Sequence, residues 1–284
     1  MSNFTLRNLR ILFRDHALLC FSLLSSLLVM GLYLLFLRSV HVSNFKEIPE
    51  AALLMDRWLM AGLLCGTSMS AAMGAFSIMV WDREEEIDKD FFAAPIAQGQ
   101  LTGGYLCSGL LVSLLITLLT FGLLQLFFWL RGVPFLTGRR LTASLLSLLL
   151  TVLANGAMSF FGAACFKSGN GYSAAGTVAG TLMGFFTGVY LPIGMLPEGA
   201  RWLVRCFPPA HGAALLRQAF MAETMADSFR DIPAKELAGF QAYLGVRYRW
   251  ADALLPSWGN ILILSVTALL FISAACFLRS RRKN

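Results

Sequence analysis

Charge is what this sequence has least of. Only 14% of its 284 residues are Asp, Glu, Lys or Arg, while 57% are hydrophobic. Six runs carry no charged residue at all: 17–37, 58–80, 104–130, 141–166, 172–196 and 258–278. A hydrocarbon core about 30 Å thick takes roughly 20 apolar residues of helix. One central charge would cost about 2.5–3.5 kcal/mol, against a few tenths returned per Leu or Phe, so uninterrupted runs are strong signals. The composition excludes an ordinary soluble domain and predicts an all-α integral membrane protein with six transmembrane helices, residues 1–284 forming a single transmembrane domain.

Other absences narrow the chemistry. The three histidines, His16, His41 and His211, fall in three separate segments. Of the six cysteines, Cys20, Cys65, Cys107, Cys165 and Cys276 lie inside apolar runs and Cys206 stands alone outside them, so neither a disulfide framework nor a metal site is expected. There is no H-E-x-x-H, no G-x-S-x-G and no intramembrane acid pair, which argues against an enzyme and against a proton relay. "CFKSGNGYS" imitates a phosphate loop, but Phe166 and Phe161 stand where that loop needs glycine. The net charge of +7 comes without a basic patch interleaved with aromatics, so no nucleic-acid partner is implied. Any uphill work must draw its energy from elsewhere.

The charges that are present sit at boundaries. Arg7, Arg10 and Arg14 precede the first run, and Arg279, Arg281, Arg282 and Lys283 follow the last, which predicts cytoplasmic termini at both ends and an even number of crossings. The first run is too long for a signal-peptide core and is expected to be a retained anchor. Within residues 1–16, "FTLRNLRILFRDH" alternates leucines with Arg7, Arg10 and Arg14 as an interfacial helix lying in the headgroup layer would, and a plain positively charged anchor fits equally.

Residues 81–98, "WDREEEIDKDFFAAPIAQ", pack eight charges into positions 82–90. Ile87, Phe91 and Ala94 share a helical face, Glu85 and Lys89 form an i,i+4 pair, and Pro95 ends the helix. A short amphipathic cytoplasmic helix is predicted here, with the solvated loop as the bland alternative. Residues 197–257 form the extracytoplasmic segment: apolar stretches broken by Pro208 and Pro209, too short to cross, then a polar cap over 222–252. Two ridges of small residues recur every fourth position, Gly62, Gly66, Ser70 and Gly74 in the second run and Gly176, Gly180, Gly184 and Gly188 in the fifth. Residues four apart stack on one face, so these are contact faces: close packing within the subunit, or a subunit interface or substrate path.

Three stretches together resemble the type-2 ATP-binding-cassette (ABC) export permeases. An acid-rich turn followed by "FFAAPIAQGQLTGGYL" looks like that family's cytoplasmic coupling loop, "RNLRILFRDH" is similar to its interfacial elbow helix, and "YLPIGMLPEGARWLVRCFPPAHGAALLR" resembles its outer re-entrant hairpin, with Pro192, Pro197, Pro208, His211 and Arg217 in place. The chain departs from the pattern at Phe207, where the family usually has Asn, and in "EEIDKDFF".

The resemblance implies a permease subunit in the cell (inner) membrane that moves an amphiphilic or hydrophobic substrate outward, whether drug, lipid, peptide or glycan type. ATP and Mg would be bound by a separate cytoplasmic ABC ATPase and not by this chain, and a second permease subunit, identical or related, would complete the assembly within membrane lipid. Glu84, Glu85, Glu86, Ile87, Asp88, Phe91 and Phe92 would contact the ATPase, and the two ridges would line the path. The alternatives are a membrane-embedded enzyme or scaffold, which should show convergent polar residues at membrane depth where this chain has Asn155 and scattered Ser and Thr, and a secondary transporter, which should show ionisable residues or broken helices there.

Overall fold

The computed structural model describes residues 2–14, 24, 28–87, 97–250 and 253–281. They are helical apart from turns and one two-stranded hairpin. In chain order the elements are α1 (Ser2–Arg14), α2 (Leu28–Asn44, with a π-helical stretch at Tyr33–Leu37), α3 (Ala51–Glu84), α4 (Gln98–Trp129), α5 (Gly138–Cys165) and α6 (Gly169–Phe186). Then follow α7 (Glu198–Cys206), α8 (Pro208–Ser228), α9 (Ala234–Tyr243), the antiparallel strands β1 (Arg249–Trp250) and β2 (Ala253–Leu254), and α10 (Ser257–Arg281).

Among the described residues four helices, α3, α4, α5 and α10, are long and apolar enough to cross a membrane. These are the second, third, fourth and sixth apolar runs, each extended at its N-terminal end. The first run lies largely outside the described residues, and α2 carries its last part. The fifth run differs from the expected span over 172–196. Its helix stops at Phe186, because Gly188 takes a left-handed backbone (φ 72°) and donates to the Phe185 carbonyl at 3.0 Å, while the Thr187 amide reaches Met183 at 2.8 Å. A glycine in that conformation terminates a helix without the Cβ penalty any other residue would meet. The spacing that forms the ridge on α6 therefore also supplies its stop signal.

Helix α3 is the centre of the fold. It packs against α4, α5, α6 and α8, and 72% of its most apolar stretch is buried, against 22% for the peripheral α10. It begins two turns before the apolar run and takes Asp56 and Arg57 into the interior. Asp56 accepts both nitrogens of Arg38 from α2, at 2.9 and 3.0 Å, and Arg57 donates to Thr224 Oγ1 at 2.6 Å. Buried ions survive only when paired or hydrogen-bonded in this way.

Helices α7 and α8 form a hairpin turned at Phe207–Pro208, with Pro208 at the first helical position where its missing N–H costs nothing. The hairpin does not sit wholly outside the bundle. Cys65 of α3 donates to the Pro209 carbonyl at 3.1 Å, and Arg57 donates to the Phe220 carbonyl at 3.3 Å, so α8 runs antiparallel to α3 along eight residues, about 12 Å of helix. Gly212 lets α8 approach α5, since a Cβ there would fall 2.7 Å from Thr151 Cγ2. On the same side Asn155 of α5 donates to Ser68 Oγ at 2.6 Å, so the one buried amide of α5 serves helix packing.

Candidate functional site

A cavity of about 310 Å³ lies between α3 and α6. Gly62, Gly66 and Ser70 line it from α3, and Gly180 and Gly184 from α6, joined by the hydroxyls of Thr67, Thr177 and Thr181 and by Tyr190. The two ridges thus face one space. They do not press together along their length: a Cβ added at Gly66 or Gly180 would meet nothing within 4 Å. Gly62 is different, with Val189 Cγ2 at 2.5 Å from its notional Cβ and the Arg217 guanidinium at 3.3 Å, and Gly184 lies under the ring of Tyr190. Gly74, Gly176 and Gly188 belong to the same ridges but not to the lining. Gly176 touches Met73 and Gly188 forms the turn after α6.

The lining is small and hydroxylated where lipid-facing helix would be branched and apolar. Ser70, Thr177 and Thr181 are exposed in the single chain, and the two threonines return hydrogen bonds to their own helix at 3.2 and 3.0 Å. Helix α6 buries only Gly169, Tyr172 and Met183. A helix so poor in large apolar side chains and so little buried has a face left over for another surface.

Behind Gly62 and Thr187 of the lining lies Arg217 of α8, which is fully buried. Its guanidinium donates to the carbonyls of Thr187 at 2.5 Å, Leu244 at 3.0 Å and Gly245 at 3.4 Å, and lies 4.7 Å over the ring of Trp58. No carboxylate takes part. A planar fork of donors suits three carbonyls from two segments in a way an ammonium could not. His211, about one and a half turns earlier, joins Arg205 O at 2.8 Å to Asn260 Oδ1 at 2.7 Å, so Arg217 and His211 between them hold the hairpin to the turn after α6, to the cap and to α10.

At the opposite end of α3 the charges form a docking site for α1. Arg7 donates to both oxygens of Asp82, at 2.8 and 3.0 Å, and Tyr105 O–H donates to the same carboxylate at 2.6 Å. The bond to Asp82 raises the Arg7 pKa above its ordinary value. Phe4 stands edge-on to Tyr105 (centroids 4.8 Å), buried Asn8 donates to Ser108 at 3.2 Å, and Leu12 packs on Ala71 and Ala75. Leu6 and Ile11 stay exposed on another side of α1, as do Arg10 and Arg14. Arg83 donates to the carbonyls of Ala163 and Phe166, and Glu84 accepts the Gly169 amide at 2.8 Å, so the end of α3 also pins the α5–α6 connection.

Of the residues expected to contact an ATPase, Glu84 has this intramolecular bond, Glu85 and Glu86 lie exposed in the turn that ends α3, with Glu86 at φ 60°, and Ile87 is half-buried. Asp88, Phe91 and Phe92, with the predicted helix around them, lie outside the described residues. Sequence reading passed over Asp82 as one more member of the charge run, and it passed over Tyr105, Asp56 and Arg57. The available signal was position: each is a polar group within two turns of an apolar run's end, where a long helix carries it into the packed interior. Among the described residues no group of three His, Cys, Asp or Glu could hold a metal.

No curated protein matches the chain. The sequence model of the ABC-2 family transporter proteins matches residues 92–277, well over half of it, from just before α4 to the last turn of α10. This chain, with its apolar helices around a cavity of small residues, belongs to the ABC-2 family: it is a membrane subunit of an ABC transporter.

Proposed function

We propose that the chain is an exporter permease that moves an amphiphilic or hydrophobic molecule outward along the α3–α6 cavity, in a pair with a second permease subunit and driven by ATP and Mg on a separate ATPase. The observation that carries this reading is the cavity itself, lined at span depth by glycines and hydroxyls from both ridges while α6 keeps an unburied face. A path for an amphiphile needs room, a few hydroxyls and walls that can slide, and small residues supply all three. The unburied face of α6 suits a second subunit, which would close the cavity on its open side.

Membrane-subunit families of this kind work with an ATP-binding partner. The reading places α1, the end of α3 and residues 81–98 on the cytoplasmic side of the cell membrane, with the acids of 84–88 orienting the ATPase and Phe91 and Phe92 seated in it. Buried aromatics carry most of the affinity in such contacts, and charges steer encounter and register. The paired Arg7 and Asp82 would then transmit motion between α1 and α3, and the α7–α8 hairpin would be the outer re-entrant element.

The test is a matched pair at one position. Gly180→Ala adds a methyl in open space and should leave export intact, whereas Gly180→Leu should insert normally and block export by filling the path. Full export by well-inserted Gly180→Leu would remove the cavity from the mechanism.

A further inference from the structure

A second concavity, about 230 Å³, lies at the cap end of the bundle between α7, the turn before it, α9 and β1. Three guanidiniums line it, Arg201 and Arg205 from α7 and Arg249 from β1, with Tyr243 and Tyr248 as aromatic walls. Arg201 and Arg205 are four apart and so share a face of α7. Among the described residues one acid answers them: Glu198 lies 2.8 Å from Arg201 and 3.5 Å from Arg205, yet its side chain is 68% exposed. Arg249 has no ion pair among the described residues, and Arg201 Nε is buried without a hydrogen-bond partner. Among the described residues the pocket is therefore cationic in excess of its counter-ion.

Its surroundings are apolar. Trp202 and Leu203 are exposed on α7, and Trp250, which strand alternation turns away from Arg249, is exposed on β1. Exposed tryptophans beside guanidiniums mark the level where a bilayer's apolar interior meets its headgroups, and guanidiniums at that level need an anion. Planar forks from several arginines match the oxygens of a phosphate better than those of a single carboxylate.

We propose that the Arg201–Arg205–Arg249 pocket is a binding site for a phosphate-class oxyanion, presented as a lipid headgroup or as a soluble phosphate. The site depends neither on the α3–α6 cavity nor on any ATPase. Glu198 is its built-in competitor, holding two of the guanidiniums in place until the phosphate displaces it. Each arginine contributes charge-assisted hydrogen bonds, so each Arg→Gln change lowers affinity about tenfold, and Arg→Lys less.

The test uses the full chain in nanodiscs. In one arm the discs are zwitterionic lipid doped with phosphatidylglycerol, and native mass spectrometry counts the anionic lipid retained on the protein. In the other the discs are zwitterionic only, and pyrophosphate is titrated against tryptophan fluorescence. Wild type should retain the anionic lipid, bind pyrophosphate, or both, with the arm that responds identifying the source. Arg201→Gln and Arg249→Gln should each weaken that response about tenfold, and Glu198→Gln should strengthen it, a sign that loss of structure would not give. Because Arg249 sits on an exposed hairpin and has no ion pair among the described residues, its substitution keeps the test valid if Arg201→Gln misfolds. Equal responses from wild type, Arg249→Gln and Glu198→Gln in both arms would overturn the proposal.

Discussion

Replacing Arg217 should loosen two segments unequally, and the inequality can be read from its bonds. The Leu244 carbonyl also accepts Trp58 Nε1 at 2.8 Å, so it keeps a partner when the guanidinium is removed. Among the described residues the Thr187 carbonyl has only Arg217 at 2.5 Å, and Gly245 only a long bond at 3.4 Å. An orphaned buried carbonyl costs about 1–3 kcal/mol. Loss of the stack over Trp58 adds about 1–2 kcal/mol for a desolvated cation. Against this, removing a buried guanidinium whose Nε has no partner relieves part of a desolvation cost. The net for Arg217→Ala is about 3 kcal/mol, on the order of a hundredfold in local opening. Hydrogen exchange should therefore accelerate most at the amides of Thr187, Gly188 and Tyr190, and less at Leu244 and Val246. Arg217→Met refills part of the volume and should recover some protection in both segments, and Arg217→Lys, lacking the fork, should not restore Thr187 fully. Unchanged exchange after the last turn of α6, or a larger change in the cap than there, would refute the reasoning.

Gly62→Ala places a methyl 2.5 Å from Val189 Cγ2 and should cost about 1–3 kcal/mol, seen as a lower melting temperature in detergent, while Gly180→Ala gains up to about 1 kcal/mol of helix propensity. Asp82→Asn weakens the two Arg7 bonds and should release α1 by about 1–3 kcal/mol, detected as faster exchange or proteolysis confined to residues 2–14, with α5 and α10 unaffected. Phe91→Ala with Phe92→Ala should leave the helices inserted yet reduce ATPase co-purification and abolish export. Reversing Glu85 and Asp88 to Lys should weaken the same association in a salt-dependent way.

What could be read from the sequence was whatever depends on one helix at a time. Charge-free length located α3, α4, α5 and α10, although α3 and α4 begin six or seven residues before their runs, and spacing by four set out two ridges of which Gly62, Gly66, Ser70, Gly180 and Gly184 line the cavity while Gly74, Gly176 and Gly188 do not. What could not be read depends on a partner elsewhere in the chain. Asp56 and Arg57 carry no signal in the sequence because their hydrogen-bonding partners, Arg38 and Thr224, lie 18 and 167 residues away. The fifth run looked continuous because its composition stays apolar through Leu196, and only the left-handed turn at Gly188, anchored by Arg217, ends α6 early. Arg217 stands out in the sequence only through its place in a family pattern, whereas its role in tying the turn after α6 to the cap requires three segments to converge.

The proposal that the α3–α6 cavity is a path open to an amphiphile can be tested with a polar reagent and without knowing the substrate. In a background whose native cysteines are replaced, single cysteines at Gly66, Ser70, Gly180 and Thr181 should react with a water-soluble maleimide in native membranes, because those positions line the cavity. Cysteines at Leu146 and Leu270, which are 67% and 57% exposed on the outsides of α5 and α10, should not react, because those surfaces face lipid. Reaction of the cavity set and silence of the lipid set is the expected result. Equal protection of both sets would mean that the ridges enclose no water-filled path.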